Sequence, residues 1–226
     1  MIMYKALLWM FFISLFLTSY CSDAKGQKNI NFALVDTFID ASAQNHQLSS
    51  SEDMHLMKES VLTINFVDNN ELDNWIIVND TVMGGRSSAS IALEKNSLAF
   101  SGDLSLENNG GFASIRRVYE PLAWQDKAVF VITVKGDGRT YQFRLRTNRF
   151  ADGVAYVANF DTKKGEEQTY RFLAQDFTPQ FRGRVVSNAP ALAFSEVQQL
   201  GFMLADKSPG DFLLLIKRIE QYPQND

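Results

Sequence analysis

Histidine and cysteine are nearly absent from this chain of 226 residues. The two histidines are His46 and His55, and the one cysteine is Cys21. All three precede Leu62, so residues 62–226 contain neither type. For that stretch the absence excludes imidazole acid–base chemistry, a Ser-His-Asp or Cys-His nucleophile and most zinc sites. A lone cysteine also rules out a disulfide within the chain. Proline is scarce and late, with Pro121 the first of five, and no glycine falls between Gly26 and Gly84. Positive charge is in deficit, 22 Lys and Arg against 26 Asp and Glu, which argues against a nucleic-acid partner. There is no phosphate-binding loop. Gly136-Asp137-Gly138 lies between two strand-like runs and reads as a hairpin turn rather than a dinucleotide cradle. Asp and Glu scattered through the loops leave a paired-carboxylate hydrolase open, but sequence does not give their separation. No dense Asp/Asn loop points to calcium, and no cofactor or metal is expected.

What is present begins with a targeting segment. Lys5 is followed by the apolar run from Ala6 to Tyr20, which is shorter than the about 20 residues of a membrane span and suits a signal-peptide core. Ser22-Asp23-Ala24 supplies small residues for cleavage before Lys25. Residues 1–24 are therefore expected to be a signal peptide of an exported protein, periplasmic or secreted. Lipidation at Cys21 is an alternative, although Tyr20 stands where a small residue is usual, and an uncleaved anchor is a third. Residues 25–61 read as a linker, partly disordered or weakly helical. Phe32, Val35, Phe38 and Ile39 fall at helical spacing but are too few to hold a helix unaided. A segment that folds on a partner is the functional alternative.

From Leu62 the texture is that of strands. Apolar and polar residues alternate through Leu62–Phe66, Ser87–Leu93, Thr140–Arg146, Gln168–Phe172 and Gln199–Leu204. Trp75–Val78, Ala128–Val134, Val154–Phe160 and Phe212–Ile219 are further strand candidates. Ser97–Ser101, Gly111–Arg116 and a weaker Phe181–Val186 complete the set, and Ser195–Gln199 has room for one helical turn at most. Turn signals separate the runs, among them Glu94-Lys95-Asn96, Asn108-Asn109-Gly110 and Lys135–Arg139. Ten or more strands with almost no helical period predict an all-β fold over 62–226, an antiparallel β-sandwich or jelly roll. Eighteen phenylalanines would fill its interior.

Two groups of residues stand out as candidate binding elements. Arg144 and Arg146 are two apart on one strand, so they share a face with Gln142, opposite Phe143 and Leu145. Such a face either binds a carboxylate, a sugar or a partner, or is the solvated side of a sheet. The second group is Asn79-Asp80-Thr81-Val82-Met83-Gly84-Gly85-Arg86-Ser87-Ser88, an irregular loop between strands.

Asn79–Ser88, preceded by Trp75, resembles the opening signature of the complex I intermediate-associated protein 30 family. Phe100–Ser105, Asn109–Arg116, Val134–Tyr141, Phe177-Thr178-Pro179 with Arg182-Gly183, Gly201-Phe202 and Gly210-Asp211-Phe212 follow in the family's order, covering about residues 62–220. The resemblance implies a galactose-binding-like β-sandwich and a non-catalytic, chaperone-like role. In mitochondria that role is assembly of respiratory complex I. This chain carries an export signal in place of an Arg-rich transit peptide.

The function expected is thus reversible docking on a protein partner, a membrane complex or its assembly intermediate. An exported carbohydrate-binding module is the alternative, using Trp75, Trp124, Tyr141 or Tyr156 as sugar platforms. The candidate site residues are Asp80, Met83, Gly84, Gly85, Arg86, Gly110, Gly111, Arg139, Tyr141, Arg144 and Arg146. Asp80 and Arg86 would make polar contacts and Met83 an adaptable apolar one. Plainer roles stay open for these three: Asp80 capping a turn, Met83 entering the core, Arg86 pairing with Asp80.

Overall fold

A computed structural model describes residues 62–67, 69–119, 122–149 and 152–224. The signal peptide and linker expected at 1–61 lie outside the described residues. Among the described residues thirteen strands run in chain order: β1 Leu62–Asn65, β2 Trp75–Ile77, β3 Ser88–Glu94, β4 Ser97–Leu104, β5 Ala113–Arg117, β6 Ala128–Lys135, β7 Thr140–Arg146, β8 Ala155–Asp161, β9 Glu167–Phe172, β10 Thr178–Phe181, β11 Arg184–Val185, β12 Gln199–Leu204 and β13 Gly210–Pro223. They form two antiparallel sheets. One has the order β3-β4-β13-β6-β9, with β1 also on β13, and the other β11-β10-β8-β7-β12-β5-β2. The expected all-β sandwich is therefore what forms.

Residue type explains the placement of the strands. β6 is apolar from Ala128 to Val134 except for Thr133 and is buried throughout that length. It sits between β13 and β9, as a run with one polar residue in seven is expected to. β7 alternates, and Tyr141, Phe143 and Leu145 are each fully buried while Gln142 and Arg144 occupy its other face. β13 is longer than the expected Phe212–Ile219 because it serves two neighbours in turn, β4 through Ile216 and β1 from Arg218. A register shift between Ile216 and Arg218 opposite β6 changes which residues face inward. Leu214 and Ile216 are buried before it, Ile219 and Gln221 after it.

One expectation fails. The single weak strand at Phe181–Val186 is two strands, β10 and β11, because Arg182 (φ 49°) and Gly183 (φ 76°) both adopt left-handed conformations. Two such residues in succession make a tight hairpin turn and reverse the chain. The same device at Lys95 (φ 48°) and Asn96 (φ 61°) closes the expected hairpin between β3 and β4.

Phenylalanine dominates the core between the sheets. The Phe143 ring lies 5.4–5.8 Å from the rings of Phe130, Phe172, Phe177 and Phe202. It joins both sheets, since Phe130 and Phe172 belong to one and Phe143 and Phe202 to the other. Phe143→Ala is expected to cost about 3–5 kcal/mol of stability, measurable as a drop in the denaturant midpoint with little change in its slope.

Candidate binding site

The irregular loop after β2 is built around one carboxylate. Asp80 opens a short 3-10 turn, Asp80–Met83, ended by Gly84 in a left-handed conformation (φ 89°). The Asp80 side chain points inward and is fully buried. Its Oδ1 accepts the Ser87 amide at 2.9 Å, and Oδ2 accepts the Ser87 hydroxyl at 2.5 Å and the amides of Gly111 and Phe112 at 2.7 and 3.3 Å. Ser87 extends the network, since its Oγ, whose proton goes to Asp80, accepts the Ser105 amide at 3.0 Å. Three segments, 79–88, 104–106 and 110–113, are thereby tied at one point.

The glycines of the motif are explained by this carboxylate. A Cβ at Gly85 would lie 2.4 Å from Asp80 Cγ, and one at Gly110 would lie 2.6 Å from Asp80 Oδ2. These two are needed for close approach, whereas Gly84 has open space around it and is needed for its positive φ. Gly111 combines a φ of 126° with the amide that reaches Asp80. Burial opposes ionisation of Asp80, but the bonds from Ser87, Gly111 and Phe112 outweigh it and hold the carboxyl below the usual aspartate range. With its oxygens occupied and the side chain buried, Asp80 closes the loop rather than offering a contact, so the polar-contact role expected of it gives way to a structural one.

What the clasp presents is apolar. Val82 is 71% exposed and Met83 60% exposed, so Met83 does not enter the core. Arg86 does not reach Asp80. It pairs with Glu107 at 2.8 Å across the clasp, with both side chains well exposed.

The Gly136–Tyr141 segment is a second tie. Asp137 accepts the Tyr141 hydroxyl at 3.0 Å and the Leu213 amide at 2.8 Å through Oδ2, and the Arg139 amide at 3.1 Å through Oδ1. The Arg139 guanidinium forks onto Asp206 at 2.8 and 2.9 Å and donates to the carbonyls of Ser208, Gly210 and Asp211. Arg139 therefore fastens the turn before β7 to the β12–β13 connection, Tyr141 is held by Asp137 within that turn, and neither is displayed for a ligand. Trp75, Trp124, Tyr141 and Tyr156 are all buried. The four rings considered as sugar platforms are core, because each sits at a strand position or connection that faces the other sheet.

The remaining candidates lie elsewhere. Arg144 and Arg146 line a pocket on the outer face of the seven-stranded sheet, with Arg116, Ser114, Gln199 and Gly201. Arg116 and Gly201 join the site only through strand register, Gly201 standing opposite Arg116 on one side and Arg144 on the other. A further contributor, Glu71, holds Arg117 through two bonds of 2.7 and 3.1 Å and accepts the Trp75 indole N–H at 3.0 Å. It fixes the approach to β2 and hence to the clasp. The acidic residue four before Trp75 was its only local signal.

Two packed antiparallel sheets, with a carboxylate-clasped loop after β2, define a β-sandwich. The structure is similar to the family 11 carbohydrate-binding module of a cellulosomal cellulase from Clostridium thermocellum, with a TM-score of 0.53, 17% identity and coverage of 73% of this chain and 96% of that one. The same module in complex with a β-1,3-1,4-mixed-linked tetrasaccharide gives a TM-score of 0.51 at 17% identity, covering 70% and 94%. At that identity the likeness is one of fold. Residues 64–216 match the family model of complex I intermediate-associated protein 30, and the chain belongs to that family. The mouse mitochondrial complex I intermediate-associated protein 30 is 27% identical over 182 residues, covering 71% of this chain and 56% of its own length. An uncharacterized protein of Schizosaccharomyces pombe is also 27% identical, covering 66% and 77%.

The clasp makes two predictions. Gly85→Ala forces the new methyl against Asp80 and is expected to cost about 1–3 kcal/mol, read by chemical denaturation. Asp80→Asn exchanges an acceptor for a donor facing N–H groups and is expected to cost about 3 kcal/mol at neutral pH. Because folding lowers the Asp80 pKa, its contribution is complete above the unfolded value of about 4 and is lost as pH falls through the folded value. The stability gap between wild type and Asp80→Asn should therefore be widest near pH 7 and narrow below pH 4 in parallel urea titrations.

Proposed function

We infer that this chain is a non-catalytic docking protein of the cell envelope that assists assembly of a membrane complex of the respiratory complex I type. Family membership supports a protein partner. The observation that carries the contact surface is the exposed Val82–Met83 pair, set on a loop whose base is held by a buried carboxylate. A rigid base with an apolar tip loses little conformational entropy on binding, and methionine adapts to irregular partner surfaces. The Arg86–Glu107 pair beside the tip adds polar rim. Docking would be reversible, with no bond made or broken. The export signal read at residues 1–24 would place the encounter outside the cytoplasm.

Two side chains of this size account for roughly 3 kcal/mol of binding, or about a hundredfold in affinity. A photo-crosslinker at the exposed Thr81 beside the tip, in the full chain in its host, is expected to trap subunits of a complex I-type oxidoreductase or its assembly intermediate. Val82→Ser with Met83→Ser should reduce that capture about a hundredfold at an unchanged melting temperature. Unchanged capture by the double variant, or saturable binding on a glycan array without any crosslink to a complex subunit, would overturn the reading.

A further inference from the structure

Three guanidinium groups crowd one small area of the outer face of the seven-stranded sheet. Arg116 on β5 and Arg144 on β7 flank Gly201 of β12 in register, and Arg146 follows Arg144 on the same face. A side chain at Gly201 would strike the Ile115 carbonyl oxygen at 2.2 Å, so the floor between the arginines stays bare. Ser114 and Gln199 stand at its margins.

The arginines are drawn into the surface. Arg146 is only 8% exposed. Its Nη1 donates to the Gly153 carbonyl at 2.8 Å, and the Arg144 Nη1 donates to Gln142 Oε1 at 2.6 Å. Both partners are neutral. Among the described residues no carboxylate lies within ion-pair distance of Arg144 or Arg146. The carboxylate whose charge reaches Arg116 and Arg146 is Asp152, which is exposed and already bonded to Arg182 at 2.9 Å. Desolvation and the neighbouring Arg116 push Arg144 down to about 10, and desolvation with Arg116 and Arg144 does the same to Arg146. All three remain cationic at neutral pH, so like charges are held together at a cost in solvation and repulsion.

We propose that the pocket bounded by Arg116, Arg144 and Arg146 over Gly201 binds a multiply charged oxyanion group, a phosphate or paired carboxylates. Guanidinium forks match the geometry of such groups and gain most where water is already excluded. Two or three positive charges around one floor call for more than one negative charge on the ligand. The pocket is small and partly open to solvent, with room inside for about one water-sized group, so an oxyanion would seat at its mouth with one oxygen inside. The site does not rest on the docking reading, since it shares no residue with the Val82–Met83 tip.

Titration calorimetry of the full chain with inorganic phosphate, with citrate and with chloride at matched ionic strength tests the proposal. Saturable binding of phosphate or citrate but not chloride is expected, weakened at least tenfold in Arg144→Gln and unchanged in a variant of the exposed Arg184, Arg184→Gln. Tighter phosphate identifies a phosphoryl ligand, and tighter citrate a polycarboxylate. Should Arg144→Gln fold poorly, amide NMR of the wild type decides, with phosphate or citrate expected to shift Ser114, Gly201 and Met203. Absence of saturable binding, equal affinity in Arg144→Gln, or shifts confined to other residues would overturn it.

Discussion

The burial of one ionised carboxylate organises the irregular end of this sandwich. Asp80 is enclosed by the Ser87 hydroxyl and by three backbone amides drawn from residues 87, 111 and 112. An unpaired buried carboxylate is too costly to persist, so the fold must deliver all of these donors together. That requirement dictates Gly85 and Gly110, whose missing Cβ atoms are the space Asp80 occupies. It also fixes the start of β3, at Ser88, relative to β5, which begins at Ala113, because Ser87 on one side and Gly111 and Phe112 on the other bond the same carboxylate. The family signature is thus chiefly a folding instruction, and its exposed product is the Val82–Met83 tip.

Asp137 and Arg139 repeat the strategy. There an aspartate gathers donors from the turn and from β13, and an arginine gathers acceptors from the β12–β13 connection. Charged groups close the connections, while phenylalanine fills the space between the sheets. The division is physical: strand pairing satisfies backbone groups along the sheets, and at the loops side chains must supply the missing partners. Neither tie uses the apolar tip or the outer arginine face, the two surfaces proposed above for binding.

The strands were legible because period-two alternation is a local signal. β7 and β12 end where the pattern ends, and the separation of Arg144 from Phe143 follows from parity alone. The same parity places Tyr141 with Phe143 and Leu145, and its composition as an aromatic obscured that signal. The clasp was not legible as a clasp, because Gly111 and Phe112 lie 31 and 32 residues from Asp80 and nothing in their spacing announces the bond. Charge complementarity pointed Arg86 toward Asp80, but hydroxyl and amide donors had already filled that carboxylate, and Glu107 took the arginine. Arg116 and Gly201 entered the arginine pocket through the β5–β12–β7 register, which is set by non-local pairing. The split of β10 from β11 turned on a left-handed arginine, a conformation its residue type disfavours.

Amide hydrogen exchange in wild type and Asp80→Asn measures the central claim most directly. The Asp80 clasp predicts slow exchange at Ser87, Gly111 and Phe112 in the wild type, and loss of that protection in the variant while β6, β7 and β13 stay protected. Retained protection of those three amides in Asp80→Asn, or fast exchange there in the wild type, would contradict it.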